Sequence, residues 1–343
     1  MKLLIIGGTK FLGRHIVESA LKEGHEVALF HRGKTNPGLF DDVTYIYGDR
    51  EEREDLQKLG DQEWDAVIDT CGYKPSTVSK SLDALNGCTK KYVFISTISV
   101  YPDFTSVQNL DESEEPMTLT DEGLEKAERL KEFDPSLYGP LKTHCEQEVQ
   151  QQMKEKSIII RPGLIVGPYD PTDRFTYWPT RIAEGGEVLA PGRKNQQVQF
   201  IDVRDLAEWV VNLSATAHSG VFNANGPDYK LTMKDFLESC ASSLNEEVTF
   251  RWVPAEFLMD EGVKPWMDLP VWIPTEDDFS QDVSKAIKSG LKFRPIHETI
   301  IDTYQWDNWR TNEERNAGLT KEREKEILKK WDRKGENAGI DPD

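Results

Sequence analysis

At 343 residues the chain has room for one large α/β body or two lobes, and its 61 Asp and Glu outweigh 42 Lys and Arg to give a formal net charge of −19. That balance disfavours nucleic-acid binding, which rests on phosphate neutralisation, and equally an anionic membrane surface. The 4 cysteines (Cys71, Cys88, Cys145, Cys240) form no CxxC pair and have no histidine at zinc-ligand spacing, so they read as reduced thiols of a cytoplasmic protein without a metal site. The apolar run at 3–6 is too short for a signal peptide, and no stretch approaches a membrane span.

The first fourteen residues, MKLLIIGGTKFLGR, read as a buried strand, a glycine turn and the start of a helix over 11–21. Backbone N–H groups at such a helix start bond phosphate oxygens only where no side chain intervenes, and Gly7, Gly8 and Gly13 supply that clearance. Lys10 stands where a middle glycine is usual. A second strand follows at 25–30, so the opening is a βαβ unit. Its second strand runs into His31-Arg32-Gly33-Lys34, with two cations where an NAD site offers an acid to the ribose; this favours a 2′-phosphate, hence NADP over NAD.

The rhythm continues with a strand at 43–47 ending in Gly48-Asp49-Arg50, an acidic helix to 59, a strand at 64–70 ending at Cys71-Gly72, a helix at 75–86 and a strand at 92–95 closing on Ser96-Thr97. Strands alternating with helices predict a doubly wound parallel sheet with its ligand at the strands' C-terminal ends. Residues 102–137 break the pattern as an acidic insertion, read as solvated or as a flap. A helix at 140–154, a strand at 158–161, a helix at 178–183, a strand at 198–201 and a helix at 203–213 follow. The expected division is a dinucleotide domain of 1–168 plus about 196–225, a smaller C-terminal substrate lobe of 169–195 plus 226–310, and a charged peripheral helix and tail at 311–343.

Tyr138 and Lys142 have YxxxK spacing, which puts phenol and ammonium on one helix face, and Pro140 is tolerable only in that helix's first turn. A tyrosine acts as a base near neutrality only if its pKa falls, at roughly 4 kcal/mol, and a neighbouring cation favours the phenolate. Hydroxyls to hold a reacting oxygen stand at the terminus of the preceding strand, at Ser96, Thr97 and Ser99.

These motifs resemble the short-chain dehydrogenase/reductase superfamily in its extended form, the NAD(P)-dependent epimerase/dehydratase family. The GGxxxxG loop is similar to an atypical subgroup that includes chloroplast RNA-binding and redox-sensing proteins. The likeness runs over almost the whole chain, taking in Arg161-Pro162-Gly163, 200–206, 282–286 and 294–300. It implies Tyr138 as acid/base, Lys142 on the nicotinamide ribose, and Thr97 on the reacting oxygen. It places Gly7, Gly8, Thr9, Lys10, Phe11, Leu12 and Gly13 at the pyrophosphate, Asp49 and Arg50 by the adenine, and Cys71, Gly72 and Ser96 along the cofactor. Pro162, Gly163 and Leu164 would border the nicotinamide. Substrate contacts would come from Ser99, Tyr169, Arg174, Tyr177, Trp178 and Arg193, the arginines gripping an anionic metabolite such as a nucleotide-sugar. A homodimer is usual for the family. Ile98-Ser99 replaces the acid pair of sugar 4,6-dehydratases, which argues against that elimination. The expected function is an NADP- or NAD-dependent oxidoreductase or epimerase; the alternative is a non-catalytic nucleotide- or RNA-binding protein.

Overall fold

Alternate residues of the first strand, β1 (Lys2–Ile6), enter two different cores. In the computed structural model, which describes residues 1–130, 132, 134–310 and 315–338, Leu3 and Ile5 join one buried cluster while Leu4 and Ile6 join another. A strand apolar on both faces needs helices on both faces, and this is the signature of a parallel sheet.

The chain continues with α1 (Phe11–Lys22), β2 (Glu26–His31), β3 (Thr44–Tyr47), α2 (Arg53–Gln57), β4 (Ala66–Asp69), α3 (Pro75–Ala84) and β5 (Tyr92–Ile95). Next come α4 (Asp121–Arg129), α5 (Tyr138–Met153), β6 (Ser157–Pro162), β7 (Ile165–Val166), α6 (Tyr177–Ile182), β8 (Gly186–Pro191) and β9 (Ile201–Asp202). It closes with α7 (Val203–Ser214), β10 (Gly220–Ala224), α8 (Met233–Leu244), β11 (Val248–Val253), α9 (Ala255–Asp260), α10 (Ser284–Lys288), α11 (Ile296–Trp309) and α12 (Lys321–Ala338). None of the helices among the described residues is long and apolar enough to cross a membrane.

Two compact units result. The first comprises Met1–Ile165, Ile201–Gly226 and Gln281–Phe293. Its 7-stranded sheet has the order β10-β6-β5-β4-β1-β2-β3, and each pairing is parallel. This is the doubly wound architecture that the strand–helix alternation predicts, with the order reversing between β1 and β4. Residues 281–293, expected in the C-terminal lobe, belong here because Ala286 and Leu291 pack into the same core as Leu3 and Ile5.

The acidic insertion is stitched to this unit rather than solvated throughout. The Glu112 carboxylate accepts from the Asn223 backbone N–H at 2.7 Å, and the Leu110 carbonyl accepts from the Asn223 amide at 3.1 Å, so the insertion covers the edge strand β10. Met117 N–H donates to the Val100 carbonyl at 2.7 Å, and the Glu128 carboxylate caps the Ser76 N–H at 2.9 Å. Residues 131 and 133 of this segment lie outside the described residues.

The second unit comprises Val166–Phe200, Pro227–Ser280 and Arg294–Asp343. It holds the parallel pair β11-β8, and its helices α6, α8 and α11 pack on one another. Helix α12 is less peripheral than its charge predicts: Ile327 and Leu328 are buried, and the buried Glu324 carboxylate takes bonds from Arg181 Nε at 2.6 Å and Leu189 N–H at 2.9 Å. The frayed tail expected beyond 338, and residues 311–314, lie outside the described residues.

Candidate functional site

The turn after β1 is built for close approach. Gly7 and Gly8 take φ of +105° and +93°, which side chains rarely adopt, and a Cβ at Gly13 would sit 2.9 Å from the Gly8 nitrogen. Helix α1 starts with no side-chain cap and no acid in its first turn, so its leading N–H groups meet no competing carboxylate. Cβ atoms at Gly7 and Gly8 would run into the Thr70 and Leu29 side chains, so glycine is what lets this turn pack against the sheet. Lys10 is exposed at the N-cap, and Phe11 follows with φ of +38°. Leu12 is core, so only its backbone faces the turn. The Thr9 hydroxyl, expected at the cofactor, donates to the Thr35 carbonyl at 2.8 Å; its side chain ties the glycine turn to the β2–β3 loop instead.

That loop carries the exposed Arg32 and Lys34. The last residue of β2 is His31, whose Nδ1 accepts from the Gly33 N–H at 2.9 Å. Its ring stands edge-on to the stacked Tyr45 and Tyr47, and burial lowers its pKa, which favours the neutral imidazole. No acid ends this strand.

At the end of β3, Gly48 lets the chain pass against Phe30 and Asp55, and the Asp55 carboxylate accepts from the Asp49 N–H at 2.8 Å. Arg50 departs from its expected place by an adenine. Its guanidinium turns into the unit and forks onto Asp69, with Nη1 at 3.0 Å from Oδ1 and Nη2 at 2.8 Å from Oδ2. The reason is Asp69 itself, a fully buried carboxylate in β4 that also accepts from the Tyr92 hydroxyl at 2.9 Å and the Cys71 N–H at 3.1 Å. Burial alone would raise its pKa; the Arg50 charge and these bonds outweigh that and hold the carboxyl below its ordinary value. An acid inside the apolar run WDAVIDT was the available signal, and sequence reasoning passed over it. Burial pushes the Cys71 thiol up, so Cys71 is no thiolate nucleophile.

The turn after β4 then meets α5. Lys142 is buried, and its Nζ donates to the carbonyls of Gly72 at 2.8 Å and Ile95 at 2.5 Å, with the Phe94 ring 4.1 Å away. Burial lowers its pKa, offset in part by neighbouring groups including Asp69 and Glu146. Tyr138, half-buried, opens the same helix, and Pro140 sits in its first turn. The next residue explains the fit: a Cβ at Gly139 would overlap the Ser99 carbonyl, so only glycine lets the α5 entrance close on the segment after β5. There the Thr97 hydroxyl accepts from the Ser99 N–H at 3.1 Å and donates to Ser99 Oγ at 3.2 Å. Ser96 is buried, and its Oγ has no partner among the described residues. One turn beyond Lys142, the buried Glu146 carboxylate pairs with Arg161 of β6 at 2.6 Å, and Arg161 Nη1 donates to the Tyr101 hydroxyl at 2.9 Å. Pro162, paired with Ala224, is buried at the end of β6, and Gly163 and Leu164 are half-buried.

The remaining expected contacts lie in the second unit. Tyr169 is exposed, with φ of +69° and its ring 5.5 Å from that of Trp306. Arg174 lies over Trp266 at 5.8 Å, and the exposed Arg193 reaches Asp278 at 3.4 Å. Tyr177 and Trp178 are corrected: both are core. Trp178 is fully buried and donates from its indole to the Pro270 carbonyl at 2.6 Å, while the Tyr177 ring packs on Gly318, where a side chain would overlap it. Their apolar bulk at helical spacing builds α6 into the unit.

Comparison with known proteins shows the fold and the family. The chloroplast stem-loop binding protein of 41 kDa b from Arabidopsis thaliana is 27% identical over 93% of this chain and 82% of its own length. Two solved structures have the same fold. The UDP-glucose 4-epimerase of Thermotoga maritima, with UDP-glucose, superposes at a TM-score of 0.65 and 16% identity over 90% of this chain and 99% of that one. The Thermus thermophilus UDP-glucose 4-epimerase complex with NAD gives 0.62 and 19% over 91% and 100%. The sequence profile of the NAD dependent epimerase/dehydratase family matches residues 3–224, from β1 to the last strand of the parallel sheet, and the chain belongs to that family.

Proposed function

We propose that the chain is an NADP-dependent oxidoreductase or epimerase acting at a carbinol or carbonyl carbon of a nucleotide-sugar or similar anionic metabolite. The observation that carries this reading is the Lys142 ammonium, buried and bonded to carbonyls at the ends of β4 and β5, one helical turn from Tyr138. Two carbonyls occupy two of its three N–H donors, leaving one for a ribose hydroxyl. Its charge favours the Tyr138 phenolate, so Tyr138 moves the proton as acid or base. Thr97, with Ser99 beside it, steadies the reacting oxygen. A bound nicotinamide cofactor supplies the hydride acceptor or donor.

Gly8 and Gly13 would hold the pyrophosphate through backbone N–H groups, with Lys10 adding charge, while Gly7, whose own N–H donates to the Phe30 carbonyl at 2.9 Å, shapes the turn. Asp49 would lie by the adenine, Cys71 and Gly72 along the ribose, and Pro162 to Leu164 beside the nicotinamide. Arg32 and Lys34, beyond a strand that ends in His31 rather than an acid, support NADP over NAD. Ser99, Tyr169, Arg174 and Arg193 are the expected substrate contacts that remain after Tyr177 and Trp178 are assigned to the core. The test is side-by-side titration with NADPH and NADH, followed by a screen of UDP-sugars for a change in cofactor absorbance. NADPH should bind more tightly; tighter NADH would contradict the reading of Arg32 and Lys34.

The likeness to a chloroplast stem-loop binding protein favours RNA binding as the second reading. The net charge of −19 opposes it, because RNA affinity rests largely on neutralising backbone phosphates with cations. Stem-loop RNA retained at physiological salt, with no dinucleotide bound, would reverse the order.

A further inference from the structure

The strand next to β6 ends in a side chain with an open acceptor. Asn225 follows β10 and is 2% exposed. Its Nδ2 donates to the Gln281 Oε1, while its Oδ1 is buried and has no partner among the described residues. An amide oxygen left in that state destabilises the fold, so a sequence that merely filled space would place an apolar residue there.

What lies against this amide is Gly163. The two strand ends are in register through Ala224 and Pro162, and the Gly163 N–H donates to the Ala224 carbonyl at 2.9 Å. A Cβ at Gly163 would overlap the Asn225 amide, so the glycine is what lets the amide reach the face of the turn after β6. On the other side of β6, Ser96 ends β5 with its N–H on the Ile160 carbonyl at 2.7 Å, and its Oγ also lacks a partner among the described residues. Two buried, open polar atoms therefore flank the end of β6, at the sheet edge where doubly wound folds bind ligands. The second is a hydroxyl able to donate or accept; the first is an amide oxygen and can only accept.

We propose that Asn225 is a cofactor-binding residue whose Oδ1 accepts from the N–H of the nicotinamide carboxamide. This rests on the reading above, in which Pro162 to Leu164 border the nicotinamide. At the nicotinamide end of that cofactor the primary carboxamide is the group that offers an uncharged N–H donor. Gly163 sets the approach, since any side chain there displaces the amide.

The test compares the full-length protein with Asn225→Ala, using NADPH, its 3-acetylpyridine analogue, which keeps the carbonyl but lacks the amide N–H, and 2′-phospho-ADP-ribose, which lacks the ring. Wild-type protein should prefer NADPH to the acetyl analogue about tenfold, a single hydrogen bond's worth. Asn225→Ala should lose that preference and bind 2′-phospho-ADP-ribose within about twofold of wild type. Equal weakening of NADPH and 2′-phospho-ADP-ribose would make Asn225 structural and overturn the proposal. A wild type that does not distinguish the two dinucleotides would overturn it without any variant. Wild-type protein that binds none of the three would remove the cofactor reading itself, an outcome distinct from both.

Discussion

Lys142 of α5 donates from its Nζ to the carbonyl of Gly72 at 2.8 Å, tying the helix that carries Tyr138 to the turn after β4. That turn is itself held from below, because Asp69 accepts from the Cys71 N–H and is gripped by Arg50. The ammonium is thus fixed by backbone that a buried ion pair fixes in turn.

Burial lowers the Lys142 pKa below its ordinary 10.5, so in the window beneath 10.5 the unfolded chain holds the proton more firmly than the folded one. Stability conferred by Lys142 therefore rises with pH through that window. Urea midpoints of wild type and Lys142→Met, compared at neutral and alkaline pH, should move in favour of wild type as pH rises. A pH-independent difference would contradict the burial of a charged ammonium.

Asp69→Asn leaves the Arg50 guanidinium buried without its counter-charge and should cost about 3–5 kcal/mol. The folded carboxyl titrates below its ordinary 3.8, so the Asp69 contribution is complete above that value and is lost as pH falls through the folded pKa. Denaturant titration at neutral pH should show the full loss, and the gap to wild type should narrow only in acid. An Asp69→Asn variant as stable as wild type would show that the fork is not formed in solution.

Arg32→Ala with Lys34→Ala should reduce the preference for NADPH over NADH by about tenfold while leaving NADH binding near its wild-type value, since a charge-assisted phosphate contact contributes roughly 1.5–3 kcal/mol. Parallel fluorescence titrations read this directly. An unchanged ratio would leave both cations as solvated loop residues.

Tyr138→Phe should lower turnover by at least about a hundredfold on any substrate that wild type converts, with NADPH affinity retained, because only the transferable proton is removed. Wild-type turnover in that variant would remove Tyr138 from the chemistry.

The sheet was legible because Leu3 to Ile6, Val67 and Ile68, and Ile158 to Ile160 are apolar on both faces, a pattern that a doubly wound fold demands. The glycine turn and the YxxxK pair were legible because their spacing is local. What sequence could not give was long-range pairing. Arg50 looks like a ligand contact until Asp69, nineteen positions on, is seen to hold it. Tyr177 and Trp178 look like a substrate wall until Pro270 and Gly318 enclose them. The acidic insertion looks solvated because its anchors, the Glu112 carboxylate and the Leu110 carbonyl, are answered by Asn223, more than a hundred residues away.

The most direct test of the dinucleotide site is calorimetric titration of wild type and Gly13→Val with NADPH. A valine there would drive its side chain into the Gly8 backbone, 2.9 Å from where its Cβ must lie. The account predicts binding by wild type and its loss in a Gly13→Val protein that still folds as judged by circular dichroism. Equal binding by both proteins, or none by wild type, would contradict it.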